Sequence, residues 1–563
     1  MKKSTIFFSL LSVLVTLSLL LTGACKGTGT TTNTGATGEQ TLTVNLGGEN
    51  NFLDPNQASW STEVAILHQV YDGLLTFNPD LTLAPMVAKE IPTVANKGIS
   101  ADGKTLTIKL KTNVTWNDGT KVTAKDFVFS IKRLFDPNLA CAYESFYSDV
   151  VGGDAYFNSA SKTASEQSAL KDAIGVRAVN DSTLEIKLID PLPTFLQLLA
   201  LWPIYPIRED MVTKYGDKWY QADANGAMPY YITDGPFIIQ EWVQNDHYTL
   251  VRNEKYWGTK PTLTKIVFKE LTDSNVAFAA YKNNEIDISG VPAGTEKTTM
   301  ADATLSPQIV RYPQLVTYAL QFNVLKPPFD NKLLRQAISC AIDRQAYIDQ
   351  VRGGVGKVAL SWIPPGMPGY DATLGTDWAL NPTKAKDLLA QAGYPNGVGL
   401  PEIKFQYANT GTNPTLAAFL QQQLKTNLGV NLTLEAMDSK SFSALVNAKN
   451  HTWAFVGWGA DYPDPDNWLP QLFGTGAGNN KTNYSNPAFD TLAATALKEL
   501  DNTKRLQDWA DAQKMVVADA PMVFLFNRET FQLCKPWVKG LTTTGMDSTI
   551  AGDSNFRLVY IQK

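Results

Sequence analysis

The stretch from Trp453 to Asp466 reads W-A-F-V-G-W-G-A-D-Y-P-D-P-D and sets a carboxylate, Asp461, directly behind the triplet Gly457, Trp458, Gly459. Glycine lets one backbone approach another closely, and an acid among small and aromatic neighbours is poorly solvated and favours a cationic partner. A glycine-flanked strand also offers main-chain donors and acceptors to an extended guest. An extended ligand with an ammonium end meets both demands. The structural alternative is a tight core strand and a turn that Asp461 caps and Pro463 and Pro465 stiffen.

Other chemistry is sparse. The histidines, His68, His247 and His451, are far apart, and Cys25, Cys141, Cys340 and Cys534 show no metal-ligand spacing. No G-x-S-x-G, P-loop or strand-to-helix G-x-G-x-x-G is present. A hydrolase would need a nucleophile with a base, or paired carboxylates, for which Asp461, Asp464 and Asp466 are the candidates. The same D-x-x-D-x-D run could be read as a calcium loop, but two prolines stiffen it and no glutamate follows at loop spacing. The residues therefore argue against an enzyme and lead to no expected metal or cofactor.

The elements around this run mix strand and helix. Thr41 to Leu46, Thr105 to Leu110 and Thr183 to Leu188 alternate as strands. Thr62 to Tyr71 has helical spacing, Thr123 to Leu134 reads as a helix with Asp126 three places after its cap, and Thr194 to Leu201 is apolar helix. Residues 235 to 257 suggest a hairpin, 330 to 351 a strongly amphipathic helical region, and Pro382 to Ala392 a helix closed by Gly393. No fixed repeat emerges. The fold class is α/β or α+β with several lobes, as 563 residues are too many for one core.

A net charge of -5 with 18% charged residues leaves no basic stripe for nucleic acid. At the N-terminus Lys2 and Lys3 precede an apolar stretch and then Thr22, Gly23, Ala24, Cys25. This pattern is similar to a bacterial lipoprotein signal (1–25) with lipid on Cys25, although Thr22 stands where leucine is usual. The alternative is an ordinary secretory peptide. Residues 26–40 are Gly/Thr-rich and are expected to be a flexible tether. No other run is long and apolar enough for a membrane helix.

Eight segments occur in one order: Y-D-G-L-L (71–75), L-A-P-M-V-A-K-E (83–90), the run from L-T-I-K-L-K to K-D-F-V-F-S (106–130), D-G-P-F (234–237), L-V-R-N-E-K-Y-W (250–257), P-P-F-D-N-K-L-L-R-Q-A-I (327–338), A-I-D-R (341–344) and G-W-G-A-D-Y-P-D-P (457–465). In this the chain resembles the extracytoplasmic oligopeptide-binding proteins of ABC importers, family 5 of the solute-binding proteins. The resemblance implies a type II periplasmic-binding-protein fold: two lobes with a hinge, plus an extra domain. Lobe I would take residues 41–71, 192–315 and 531–563, the extra domain (lobe II) 72–191, and lobe III 316–530, with the ligand cleft between lobes I and III.

The resemblance further implies that Asp461 pairs with a peptide's α-ammonium and that Gly457, Trp458 and Gly459 bind its backbone, with Ser59, Trp60 and Ser61 as the opposing edge. Arg352 is the surviving candidate for a carboxylate. Phe455 and Ser59 replace charged residues found in some relatives, and Gly459 and Val316 stand where others form a disulfide. The implied partners are an oligopeptide, the permease and ATPase subunits of an importer, and the membrane through the lipid, with the protein acting as a monomer. Two alternatives stay open within the fold: thirteen tryptophans would also suit an oligosaccharide, and a sensory binding protein would share the architecture.

Overall fold

The computed structural model describes residues 39–563 apart from 49 and 51. The signal-like segment, Cys25 and residues 26–38 of the expected tether lie outside the described residues. Gln40, the last position of that tether, is instead buried. Its side chain donates to the Ile561 carbonyl and accepts from the Ile561 amide, both at 3.0 Å, and its carbonyl accepts from Thr264.

Two long antiparallel strands, Ile309–Phe322 and Met522–Cys534, form the spine. Both are rich in β-branched and aromatic residues. On one side of this pair lie Trp453–Gly459, Ile403–Ala408 and Leu432–Met437. On the other lie Ile288–Gly290, Thr41–Asn45, Lys265–Lys269, His247–Arg252 and Phe237–Val243, and Lys357–Val358 adds to the second long strand. Every half of the molecule is therefore hydrogen-bonded through the same two strands.

The spine is irregular at one place. Pro313 pairs with Glu529 and Thr317 with Asn527, so Gln314, Leu315 and Val316 face Arg528 alone. Proline removes a ladder donor at this point, and the extra residues bend the strand outward.

Residues 72–191 contribute a three-stranded sheet, Thr105–Lys109, Thr183–Lys187 and Val176–Asn180, and a short hairpin, Leu75–Phe77 with Leu83–Pro85. Asp126 reaches back to the Thr123 amide at 2.7 Å to start helix Ala124–Leu134, as its spacing leads one to expect. From that helix Arg133 makes a buried two-point ion pair with Asp54 of the L-D-P turn, at 2.9 and 2.6 Å. One apolar core runs through both regions, from Leu42 and Val44 to Phe127 and Ile186. Separate cores flank the other half, one around Phe322, Phe405 and Trp453 and one around Trp362, Trp468 and Trp509.

Two expected helices differ in detail. The region 330–351 divides into Lys332–Ala341 and Arg344–Val351, because Ile342 is extended and Asp343 caps the second helix by accepting from Ala346. The span 194–201 holds only the short helix Phe195–Leu198, followed by the turn Trp202–Ile204 with Pro203 inside it. Gly235 of D-G-P-F has a strict packing reason: a Cβ there would lie 2.3 Å from the Val70 carbonyl carbon.

Candidate ligand-binding site

A cavity of about 310 Å³ opens where the bulged spine meets the end of strand Trp453–Gly459. One wall is the face of helix Ser61–Val70 that carries Ser61, Val64 and His68, spaced three and four residues apart. The facing wall is Gln314, Leu315 and Val316 with Gly459, Ala460 and Asp461. Tyr143 and Trp202, in edge-to-face contact at 4.8 Å, close one side, and the turn from Thr544 to Ser548 closes another.

Asp461 is half-buried between these walls. Asn467 holds it at two points: the Asn467 side-chain oxygen Oδ1 accepts from the Asp461 backbone amide at 2.9 Å, and its side-chain NH2 donates to the Asp461 carboxylate at 3.1 Å. The Tyr143 hydroxyl lies beside the same carboxyl. Burial pushes the Asp461 carboxyl up to about 6, and the donors Asn467 and Tyr143 oppose this only in part. Among the described residues no cation lies within ion-pair distance of it. Asn467 and Tyr143 were not singled out in the sequence. Asn467 follows a proline-stiffened acidic turn and is recoverable in principle, while nothing near Tyr143 marks it.

The strand in front of Asp461 has a free edge. Ala460 donates to Leu315 at 2.9 Å and Gly459 stands opposite Val316, so by strand alternation Gly457 and Gly459 turn their main-chain groups away from the spine. On that outer side the strand meets Ile403–Ala408 only at Ala454. Gly459 borders the cavity, whereas Gly457 and Trp458 are not among its walls. Gly457 makes room for Tyr318, whose ring would lie 2.6 Å from an added Cβ. The Trp458 indole donates to the Asn467 carbonyl at 3.0 Å, so it braces the residue that braces Asp461.

On the opposing edge, Ser59 and Ser61 line the cavity and Trp60 projects beside them, 62% exposed. The amides of Ser59 and Trp60 are already donated to the buried Glu63 carboxylate at 2.8 and 3.0 Å. That contact starts the helix as a glutamate three places after the cap. It takes the amides of Ser59 and Trp60 away from a guest.

Arg352 is not brought to the cavity. Its guanidinium lies 4.5 Å from the Phe526 ring centroid, and Phe526 stacks on Tyr318, which stacks on Phe455, at 4.8 and 5.4 Å. The phenylalanine at 455 thus belongs to an aromatic ladder that ends on Arg352.

The rest of the acidic turn binds the other half of the protein. Tyr462 is buried in the core that includes Leu42 and packs edge-on against Phe146 at 5.8 Å. Arg505 holds Asp464 through two 2.8 Å hydrogen bonds, and Gln197 reaches the same carboxylate at 3.1 Å. Asp466 accepts from Thr194 and Tyr462 at 3.0 and 2.9 Å, and burial beside Asp464 lifts its carboxyl to about 6. These carboxylates are occupied by side chains and form neither a catalytic pair nor an ion cage.

A cavity between a helix face and the bulged spine, with a carboxylate that no cation among the described residues reaches, fits a receptor of the two-lobed binding-protein class. Residues 82–480 match the bacterial extracellular solute-binding proteins, family 5 (middle), and the chain belongs to that family. It is 31% identical to the periplasmic oligopeptide-binding protein OppA of Salmonella typhimurium over 90% of each chain. It is 29% identical to the oligopeptide-binding protein OppA of Bacillus subtilis, covering 98% of this chain and 99% of that one. An unliganded open form of the periplasmic murein tripeptide binding protein MppA superposes with a TM-score of 0.79 at 27% identity, covering 94% of this chain and 98% of that chain.

Proposed function

We propose that this protein captures oligopeptides outside the cytoplasmic membrane and delivers them to an ABC permease. The observation that carries this reading is Asp461: a braced, desolvated carboxylate with no cation beside it among the described residues, at the end of a strand with a free edge. An α-ammonium supplies the missing charge, and the outward main-chain groups of Gly459 and Gly457 pair with a peptide backbone whatever its sequence. Affinity is then broad in side-chain preference, and register is set by the amino end.

In this reading the lobes divide as residues 41–71, 192–315 and 531–563 against 316–530, with 72–191 as the extra domain. A peptide touching both walls favours the closed form over the open one. The protein acts as a monomer without catalytic activity, held to the membrane through lipid on Cys25.

Calorimetry with one peptide series tests the central point. Peptides with a free amino terminus are expected to bind the parent at least two decades more tightly than their N-acetylated forms. Equal affinity for the two forms would refute the reading. Loss of metabolic lipid labelling in Cys25→Ala tests the anchor separately.

A further inference from the structure

The charges in the cavity walls balance in an informative way. Asp72 is held by Arg557 at 2.9 Å and by the Tyr256 hydroxyl at 2.7 Å. Asp547 accepts from the amides of Thr544 and Gly552 and from the hydroxyls of Thr544 and Ser554, at 2.8 to 3.2 Å. Among the described wall residues Arg528 is the cation without an ionic partner, and of the two wall carboxylates without one Asp547 is saturated by these amides and hydroxyls, which leaves Asp461. Asp461 and Arg528 do not pair with each other.

Arg528 owes its position to the bulge. Its neighbours Asn527 and Glu529 are buried on the other face, where Asn527 donates to Thr317 and Glu529 is held by Arg311. Strand alternation turns Arg528 to the cavity side, and three residues facing one leave no cross-strand partner to cover it. Beside it Gln314 is only 9% exposed, lines the same cavity and has a side-chain carbonyl oxygen with no hydrogen-bond partner. A guanidinium next to an unfilled polar group is a two-point site for a planar anion with a neighbouring donor.

We infer that Arg528 holds a ligand carboxylate while Asp461 holds the ammonium, so that the preferred ligands carry both charges close together. This rests on the peptide reading above. Gly459 pairs with Val316, which faces Arg528, so the two backbones are two strand spacings apart, roughly 10 Å. A short tail or side chain that reaches back from Asp461 across these two spacings needs about three residues' length at roughly 3.3 to 3.6 Å each, so the carboxylate lies within about three residues of the amino end. It comes from the C-terminus of a di- or tripeptide, or from an acidic side chain near the start of a longer one. The amide N–H next to that carboxylate is the donor for Gln314.

Calorimetry on the full protein distinguishes these sources. One arm compares tripeptides ending in a free acid or an amide. The other compares C-amidated pentapeptides with Glu or Gln at the second or third position. In at least one arm the parent is expected to prefer the carboxylate by about tenfold or more, and Arg528→Gln to reduce that ratio to near one. Arg528→Lys is expected to keep part of it. No carboxylate preference in either arm by the parent overturns the inference whatever the variants do, as does an unchanged ratio in Arg528→Gln. N-acetylated peptides run alongside separate the readings: if acetylation costs affinity in both proteins and only the carboxylate ratio fails, Asp461 stands and Arg528 does not. If acetylation has no effect on the parent, the underlying peptide reading has failed.

Discussion

Asn467 and Asp461 form a reciprocal pair, in which one side-chain amide accepts from the aspartate's backbone and donates to its carboxylate, at 2.9 and 3.1 Å. Asn467 is fully buried, and its own carbonyl receives the Trp458 indole. The pair fixes where a negative charge points before any ligand arrives, so that little ordering is left for the binding step.

This brace predicts that Asn467→Ala weakens binding of free-amino peptides by about 1 to 3 kcal/mol, the cost of leaving a buried group without its hydrogen bonds. Asp461→Ala should cost about 3 to 5 kcal/mol, as for breaking a buried ion pair. Titration calorimetry on both variants checks the order. An Asn467 variant as weak as the Asp461 variant would make the brace part of the charge site itself.

The pH dependence follows from the Asp461 carboxyl at about 6, above its ordinary 3.8. The empty folded protein holds this proton more tightly than the unfolded chain. The ionised form therefore opposes folding above pH about 6, and the penalty vanishes as pH falls towards 4. An ammonium ligand needs the ionised form, so affinity should fall below pH about 6, with proton release on binding near that pH. Calorimetry in buffers of different ionisation enthalpy reads the proton count. Asp461→Asn should raise the melting temperature of the ligand-free protein at neutral pH and lose that gain near pH 4.

The two glycines before Asp461 should respond differently to alanine. At Gly457 the new Cβ meets the Tyr318 ring at 2.6 Å, and overpacking of this kind costs about 1 to 3 kcal/mol of stability. At Gly459 the nearest atom is a Val316 methyl at 3.4 Å, so Gly459→Ala should fold nearly as well and weaken peptide binding. Denaturant midpoints and dissociation constants measured together separate the two effects.

Asp464 and Arg505 are 1% and 6% exposed at their side chains and joined by two 2.8 Å bonds. Arg505→Met leaves Asp464 buried without its cation and should cost about 3 to 5 kcal/mol in urea unfolding. Asp464→Asn in the same chain should recover part of that loss. An additive double variant would show that the pair does not couple.

The particular residues show where sequence reading reached and where it stopped. Strands Thr41–Asn45 and Thr105–Lys109 and helix Ala124–Leu134 follow from local periodicity and a capping aspartate, because such elements are decided by neighbours within a few residues. Asp461 was legible because glycine, aromatic and proline neighbours in sequence are also its neighbours in space. Arg352 and Arg528 mark the limit. Arg352 closes a helix and Arg528 sits in mid-strand, and only the stacking of one on Phe526 and the bulge opposite the other show which of them reaches the cavity.

What the chain alone determined was a mixed α/β architecture, the family order of its motifs and the one carboxylate in a setting that cannot solvate it. The tertiary structure decided what surrounds that carboxylate, since Tyr143 beside it and Ser59 and Gln314 in the same cavity come from segments remote in the chain. It also decided which charges are already neutralised. Ion pairing depends on distances of a few ångströms across separate elements, and linear spacing does not encode those distances.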